Sequence, residues 1–132
     1  MITFRLDSAS GLVPYLQLVR QVKHALRLGL LEVGDQLPTV KEAVAQLAIN
    51  PNTVLKAYRE LEYEGLIERR PGQGTFVTRT LAGPSLASHA ALRRDLLRWI
   101  RGAQEAGLDE ESIDALFADT FRDALREKED IA

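Results

Sequence analysis

Leu37 to Val77 reads LPTVKEAVAQLAINPNTVLKAYRELEYEGLIERRPGQGTFV, and the order of signals in it decides the fold. A helix, a tight turn, a second helix, a short strand, a glycine turn and a second strand follow one another. Thr39-Val40-Lys41-Glu42 has the form of a capping box: the Thr hydroxyl accepts from the third helical amide, and the Glu reaches back to the Thr amide. Val40, Ala43, Val44 and Leu47 then recur at helical spacing and make one apolar face. Asn50-Pro51 starts the second helix, since Asn is a favoured N-cap and Pro a favoured first residue. The gap from Ala48 to Asn50 is as short as a helix-turn-helix needs. Gly65 is placed to end the second helix. Leu66–Arg70 and Thr75–Arg79 are β-prone runs around Pro71-Gly72-Gln73-Gly74, which reads as a hairpin.

This pattern predicts a winged helix-turn-helix. Val54, Ala57, Tyr58 and Leu61 form the inward stripe of the second helix, leaving Asn52, Thr53, Leu55, Lys56 and Arg59 on other faces. In this motif the N-terminal part of the second helix reaches base edges in the major groove. Asn bonds adenine bidentately, Thr offers a hydroxyl or a methyl, and Lys56 and Arg59 suit phosphates. The hairpin tip carries Arg69, Arg70 and Gln73, fit to probe a minor groove or the backbone. Gly72 and Gly74 do not make a P-loop, because there is no GxxxxGK and no helix follows the turn.

The same residues carry a resemblance. Pro14-Tyr15-x-Gln17-Leu18, Gly29-x-Leu31-x-x-Gly34-x-x-Leu37-Pro38, Thr53-Val54-x-x-Ala57-Tyr58-x-x-Leu61-x-x-x-Gly65-Leu66-Ile67 and Gly74-Thr75-Phe76-Val77 stand in register. They resemble the DNA-binding domain of the GntR family of bacterial transcription regulators. The Ile49–Val54 wording and the short C-terminal part are similar to its YtrA-like subfamily. The resemblance implies that Thr39, Lys41, Asn50, Asn52, Thr53, Lys56, Arg59 and, from the wing, Arg69, Arg70, Gly72 and Gln73 face DNA. Position 41 is usually Arg in the family, and Lys41 keeps its charge without the bidentate fork. Many members have Arg where this chain has Pro51, so that contact is missing.

Outward from the motif, Ile2–Leu6 alternates like a half-buried strand, expected to pair with the wing sheet or to cover the core. A helix is expected from Leu12 or Pro14 to Leu28, with Leu12, Leu16, Val19, Val22 and Leu26 inside and Gly29 as its stop. Arg20, Lys23 and Arg27 lie on its solvated outer side. His24 has no carboxylate or second histidine one turn away and reads as a surface residue. Tyr58 belongs to the core, whereas Tyr15 and Tyr63 read as surface-to-core residues without chemistry.

Composition shifts after Arg79. Residues 80–85 form a breaker-rich linker, and two helices follow, one from Ser85 or Leu86 to Ala106 and one capped by Asp109. The tail from Lys128 is expected to fray. Leu92, Leu96, Trp99 and Ile100 on the first, and Ile113, Leu116, Phe117 and Phe121 on the second, are too many apolar residues for a hairpin to bury on itself. Small units below about 40–60 residues are marginal alone. The surplus points to a second copy. The expected domains are therefore a DNA-binding winged helix over 1–79, a linker over 80–85 and a helical dimerisation domain over 86–128.

The 132 residues hold no cysteine, which fits a reducing cytoplasm and excludes disulfides and thiolate metal sites. No signal peptide and no membrane span are expected. Charge is uneven: residues 1–79 carry ten Lys/Arg against eight Asp/Glu, a net +2, and residues 80–132 carry seven against eleven, a net −4. A modestly basic reader should bind DNA with a steep salt dependence. His89 stands alone, so no histidine-built metal site, no cofactor and no catalytic constellation are expected. Fifty-odd C-terminal residues cannot hold the large effector or aminotransferase-like domains of other GntR branches. The expected function is a dimeric regulator, a repressor, on a palindromic operator, with any small-molecule effector unnamed by the sequence. The alternative is a winged-helix interaction module that does not read DNA.

Overall fold

The structure, a computed structural model, describes residues 1–83 and 86–131. They divide into two compact units, Met1–Leu86 and Ala87–Ala132. The first unit contains α1 (Pro14–Arg27), β1 (Gln36–Leu37), α2 (Val40–Leu47), α3 (Pro51–Tyr63), β2 (Ile67–Arg70) and β3 (Gly74–Val77). The second contains α4 (Leu86–Glu105) and α5 (Glu110–Ile131). This is the mainly α architecture with a small β wing that the motif order predicts.

The sheet is antiparallel in the order β1-β3-β2. Gln36 faces Phe76 and Leu37 faces Thr75 on one side; Ile67 faces Val77 and Arg70 faces Gly74 on the other. Gly34 N–H to Val77 O at 2.9 Å and Val77 N–H to Asp35 O at 2.8 Å extend the β1 pairing backwards. Gly74 is required at this crossing, because it sits at φ 132° and a Cβ there would come within 2.5 Å of Gln36 Nε2.

Ile2–Leu6 is not a strand. Of its two expected placements, the sheet edge is taken by Gln36–Leu37, where no strand was predicted. The segment takes the other and covers the core, with Phe4 buried and Ile2 and Leu6 packed beside it. Its backbone groups are satisfied by glutamines of α1. Arg5 N–H donates to Gln21 Oε1 at 2.9 Å, and Asp7 N–H donates to Gln17 Oε1 at 2.9 Å. Gln17 Nε2 in turn donates to Asp7 O and Leu12 O, which explains why a glutamine is buried on the inner face of a helix.

α1 buries Leu18 and Ala25 together with Val19, Val22 and Leu26, whereas Leu12 and Leu16 are only half-buried. The inner face is thus rotated from the expected one toward α3. The core of this unit joins α1, α3 and the sheet, with Leu18, Val22, Leu26, Leu37, Val54, Tyr58 and Leu61 fully enclosed. Tyr58 OH donates to Pro38 O at 2.6 Å, and Phe4 lies 6.4 Å from the Tyr58 ring. Burial, with a smaller push from the Glu42 charge, raises the Tyr58 phenol well above its ordinary value.

β3 stops at Val77 rather than Arg79. Thr78 and Arg79, whose N–H groups both donate to Leu66 O, also cap α3: Thr78 Oγ1 donates to Gly65 O at 3.0 Å and Arg79 Nη2 to Glu64 O at 2.9 Å.

In the second unit, α4 and α5 meet through Trp99 and Phe117, 6.3 Å apart and tilted, and Phe117 stacks on Phe121 at 5.8 Å. Asp109 Oδ1 accepts from Ser112 N–H at 2.8 Å and caps α5 as expected. The Ser112 side-chain and backbone hydrogen bonds hold the Asp109 carboxyl below its ordinary value. The helix continues to Ile131, past the predicted fraying point at Lys128. Of the predicted linker, residues 84 and 85 lie outside the described residues, and with them the alternative helix start at Ser85. No helix among the described residues is long and apolar enough to cross a membrane.

Candidate nucleic-acid interface

Two local motifs position the interface. At α2, Thr39 Oγ1 accepts from Glu42 N–H at 3.0 Å, and Glu42 Oε1 accepts from Thr39 N–H at 3.3 Å, the complete capping box. The box fixes Thr39 at the helix start and leaves Lys41 exposed on the first turn. At α3, Asn50 Oδ1 accepts from Asn52 N–H at 2.8 Å, with Pro51 at the first helical position. Between them Ala48 turns through φ 53°, ψ 43°, the left-handed conformation that closes many helices. Ala48 is the one described non-glycine residue with positive φ.

α3 separates its faces cleanly. Val54, Ala57, Tyr58 and Leu61 are all fully buried, and Asn52, Lys56 and Arg59 share one exposed stripe at steps of four and three. Thr53 is half-buried at the edge of that stripe. Tyr63 continues the stripe by another turn and is 90% exposed, so it is a surface residue and not the surface-to-core residue its composition suggested. The reason is positional: it falls on the solvent side of the helix that Leu61 closes.

Lys56 is not simply solvated. Its Nζ lies 4.2 Å from the centre of the Tyr15 ring, at the start of α1. Tyr15 therefore joins the interface as a residue that sequence reasoning missed. The available signal was an aromatic on the first turn of α1 facing an exposed lysine on α3, and only the α1–α3 packing reveals it.

The wing supplies a groove. Thr39, Glu62, Arg69, Arg70, Gly72 and Gln73 are among the residues that line one open depression between the start of α2 and the hairpin. Gln73 N–H donates to Arg70 O at 2.9 Å and closes the hairpin turn, with Gly72 at φ 75°. The two wing arginines diverge. Arg70 shares a face with Glu68 and Phe76, its guanidinium 4.6 Å from the Phe76 ring and 3.6 Å from Glu68 Oε2. Arg69 is opposite Thr75 on the other face and pairs with Glu62.

The structure thus brings Thr39 together with the wing residues, and Asn52, Lys56 and Arg59 along one stripe. Among the described residues no group of three or more His, Cys, Asp or Glu side chains is placed to hold a metal ion.

Comparison with known proteins agrees with this geometry. Residues 14–77 match the family described as bacterial regulatory proteins, gntR family. Over 110 residues the chain is 34% identical to the HTH-type transcriptional repressor YtrA of Bacillus subtilis, covering 83% of this chain and 85% of that one. Over 91 residues it is 40% identical to the HTH-type transcriptional regulator Rv1152 of Mycobacterium tuberculosis, covering 69% and 74% of the two. Among solved structures, a transcriptional antiterminator from Listeria monocytogenes EGD-e superposes with a TM-score of 0.57 at 32% identity, covering 92% of this chain and 90% of that one.

Proposed function

The chain belongs to the GntR family of bacterial regulatory proteins, and from that premise we propose that it is a dimeric, sequence-specific DNA-binding repressor of transcription in the cytoplasm. The observation that carries this reading is the division of α3. One face is locked in the core, and the other presents Asn52, Lys56 and Arg59 next to a wing bearing two arginines.

In this reading α3 enters the major groove. The Asn52 amide bonds adenine bidentately, and Thr53 offers its hydroxyl or methyl to the next base. Asn50 Oδ1 already accepts one bond in the cap, so its amide N–H groups are the part left wholly unengaged for DNA. The Thr39 hydroxyl accepts from Glu42 N–H and keeps its proton to donate to a phosphate. Lys41, Lys56 and Arg59 neutralise phosphates and set register without reading sequence. Arg70, Gly72 and Gln73 bring the wing to the flanking backbone or minor groove.

Residues 86–128 join two copies through Leu92, Leu96, Trp99, Ile100, Ile113, Leu116, Phe117 and Phe121, and residues 80–85 link them to the reader. Leu92 is 65% and Phe121 54% exposed in the single chain, which supports a missing partner surface. Charge supports the same occupant. α4 carries four arginines against two acids, whereas α5 carries eight acids against three bases, so α4 of one copy complements α5 of another. Two-fold symmetry then matches half-sites about 34 Å apart, or a multiple of that. Occupying such a site blocks a promoter. An effector, whose chemistry is unnamed, would act by changing the spacing of the two readers.

The test is the double variant Asn52→Ala, Thr53→Ala in a binding titration against a duplex selected by the wild-type chain. Lost binding with unchanged thermal unfolding supports the reading. Undiminished binding contradicts it and favours an interaction module.

A further inference from the structure

The wing groove contains a carboxylate that an anion-binding surface would not be expected to keep. Glu62, near the end of α3, lines the depression together with Thr39, Arg69, Arg70 and Gln73. Its Oε2 accepts from Arg69 N–H at 3.2 Å and lies 3.5 Å from Arg69 Nε. Both side chains remain more than one-third exposed, so solvent and phosphate have access to them. The other acids of this helix end are employed differently. Glu64 pairs with Lys23 at 2.8 Å, away from the wing, and Glu60 is exposed.

We propose that Glu62 is a counter-charge that holds Arg69 off the phosphate backbone and restrains sequence-independent DNA affinity. The proposal rests on the DNA-reading function above. Its physical basis is that non-specific binding is almost wholly the sum of neutralised phosphates, while specificity comes from base edges. An arginine cancelled by a carboxylate adds nothing to that sum. A phosphate entering the groove must also approach Glu62 itself, which is anchored on a rigid helix and held by the Arg69 backbone. Arg70 lies on the opposite face of the hairpin, its guanidinium over the Phe76 ring and 3.6 Å from Glu68 Oε2, and so has a carboxylate neighbour of its own outside the Glu62 pair. On the groove side of the hairpin Arg69 is thereby held in reserve. With a net charge of only +2 in residues 1–79, one restrained arginine per copy is a large fraction of the available attraction.

The experiment uses the full chain and Glu62→Gln, which keeps an oxygen for the Arg69 N–H and removes the charge. Binding to a selected duplex and to an unrelated duplex is measured over a range of salt. The expected result is a plot of log affinity against log salt steeper by about 0.9 per subunit, the increment of one further neutralised phosphate. Affinity for the unrelated duplex rises several-fold, and the ratio between the duplexes falls. Arg69→Gln changes the wild-type slope by less than half that increment, but abolishes the whole gain in the Glu62→Gln background. Because the pair is exposed, unfolding temperatures stay close to wild type. An unchanged slope in Glu62→Gln overturns the proposal and leaves the DNA-reading function standing. A full-increment loss in Arg69→Gln alone also overturns it, since Arg69 would then already contact phosphate. If neither the wild type nor Glu62→Gln binds any duplex, both readings fall.

Discussion

The two units of this chain solve the problem of apolar surface in opposite ways. In Met1–Leu86, three helices, a sheet and an N-terminal cover enclose Leu18, Leu26, Tyr58, Leu61 and their neighbours completely. In the C-terminal unit no described side chain from 89 to 128 is buried, and eight large apolar residues from Leu92 to Leu125 are exposed. Two helices expose too much surface for the area they cover, whereas a third layer closes the first unit. The lesson is a division of labour. The first unit encloses its own core beneath the candidate reading surface; the second leaves uncovered in the single chain the apolar residues that the proposed assembly would cover.

That contrast predicts different responses to truncation. The largest effect on stability should come from Leu61→Ala, which opens a cavity in the enclosed core and should cost about 2–5 kcal/mol. Chemical denaturation would show this loss to be independent of protein concentration. Phe117→Ala should leave monomer helicity nearly intact and weaken self-association instead, by about 2 kcal/mol as a central aromatic anchor, or about thirtyfold in Kd. Sedimentation equilibrium measures it, and the wild-type unfolding midpoint should rise with protein concentration. An equal, concentration-independent loss in both variants would erase the contrast.

Smaller changes sharpen it within the first unit. Tyr58→Phe leaves the Pro38 carbonyl without its 2.6 Å donor and should cost about 1–3 kcal/mol. Its pH dependence is distinctive. The folded phenol titrates above the unfolded value of 10.0, so stability is fully present below that pH and is lost as pH rises past it, because the unfolded chain then releases the proton first. Thermal melts from pH 8 to 11 should show this alkaline loss in the wild type and a flatter curve in the variant. Thr39→Ala should cost about 0.5–2 kcal/mol by breaking the capping box. Ala48→Gly should stabilise by up to about 1 kcal/mol, because glycine tolerates the left-handed turn that alanine holds under strain. None of the three should alter self-association.

The helix starts in both units were legible because their signals are local. The caps at Thr39, Asn50 and Asp109 each act within three residues, and each is observed as the sequence places it. What stayed open was decided by competition between distant segments. Ile2–Leu6 has the alternation of a strand, but Gln36–Leu37 takes the edge, and Gln17 and Gln21 satisfy the displaced backbone. No period in the sequence states which of two segments wins a sheet edge. The same limit applies to the interface. The α3 stripe follows from helical spacing, whereas the pairing of Lys56 with Tyr15 and of Glu62 with Arg69 depends on packing between elements.

The proposed assembly joins two DNA readers through C-terminal helices that cover one another's apolar faces. Selection of binding sites by the purified full chain from a pool of random duplexes tests it most directly. The expected result is enrichment of one two-fold symmetric sequence, its half-sites about a helical turn, ~34 Å, or a multiple apart. Enrichment of a single asymmetric half-site, or of no sequence at all, would contradict it.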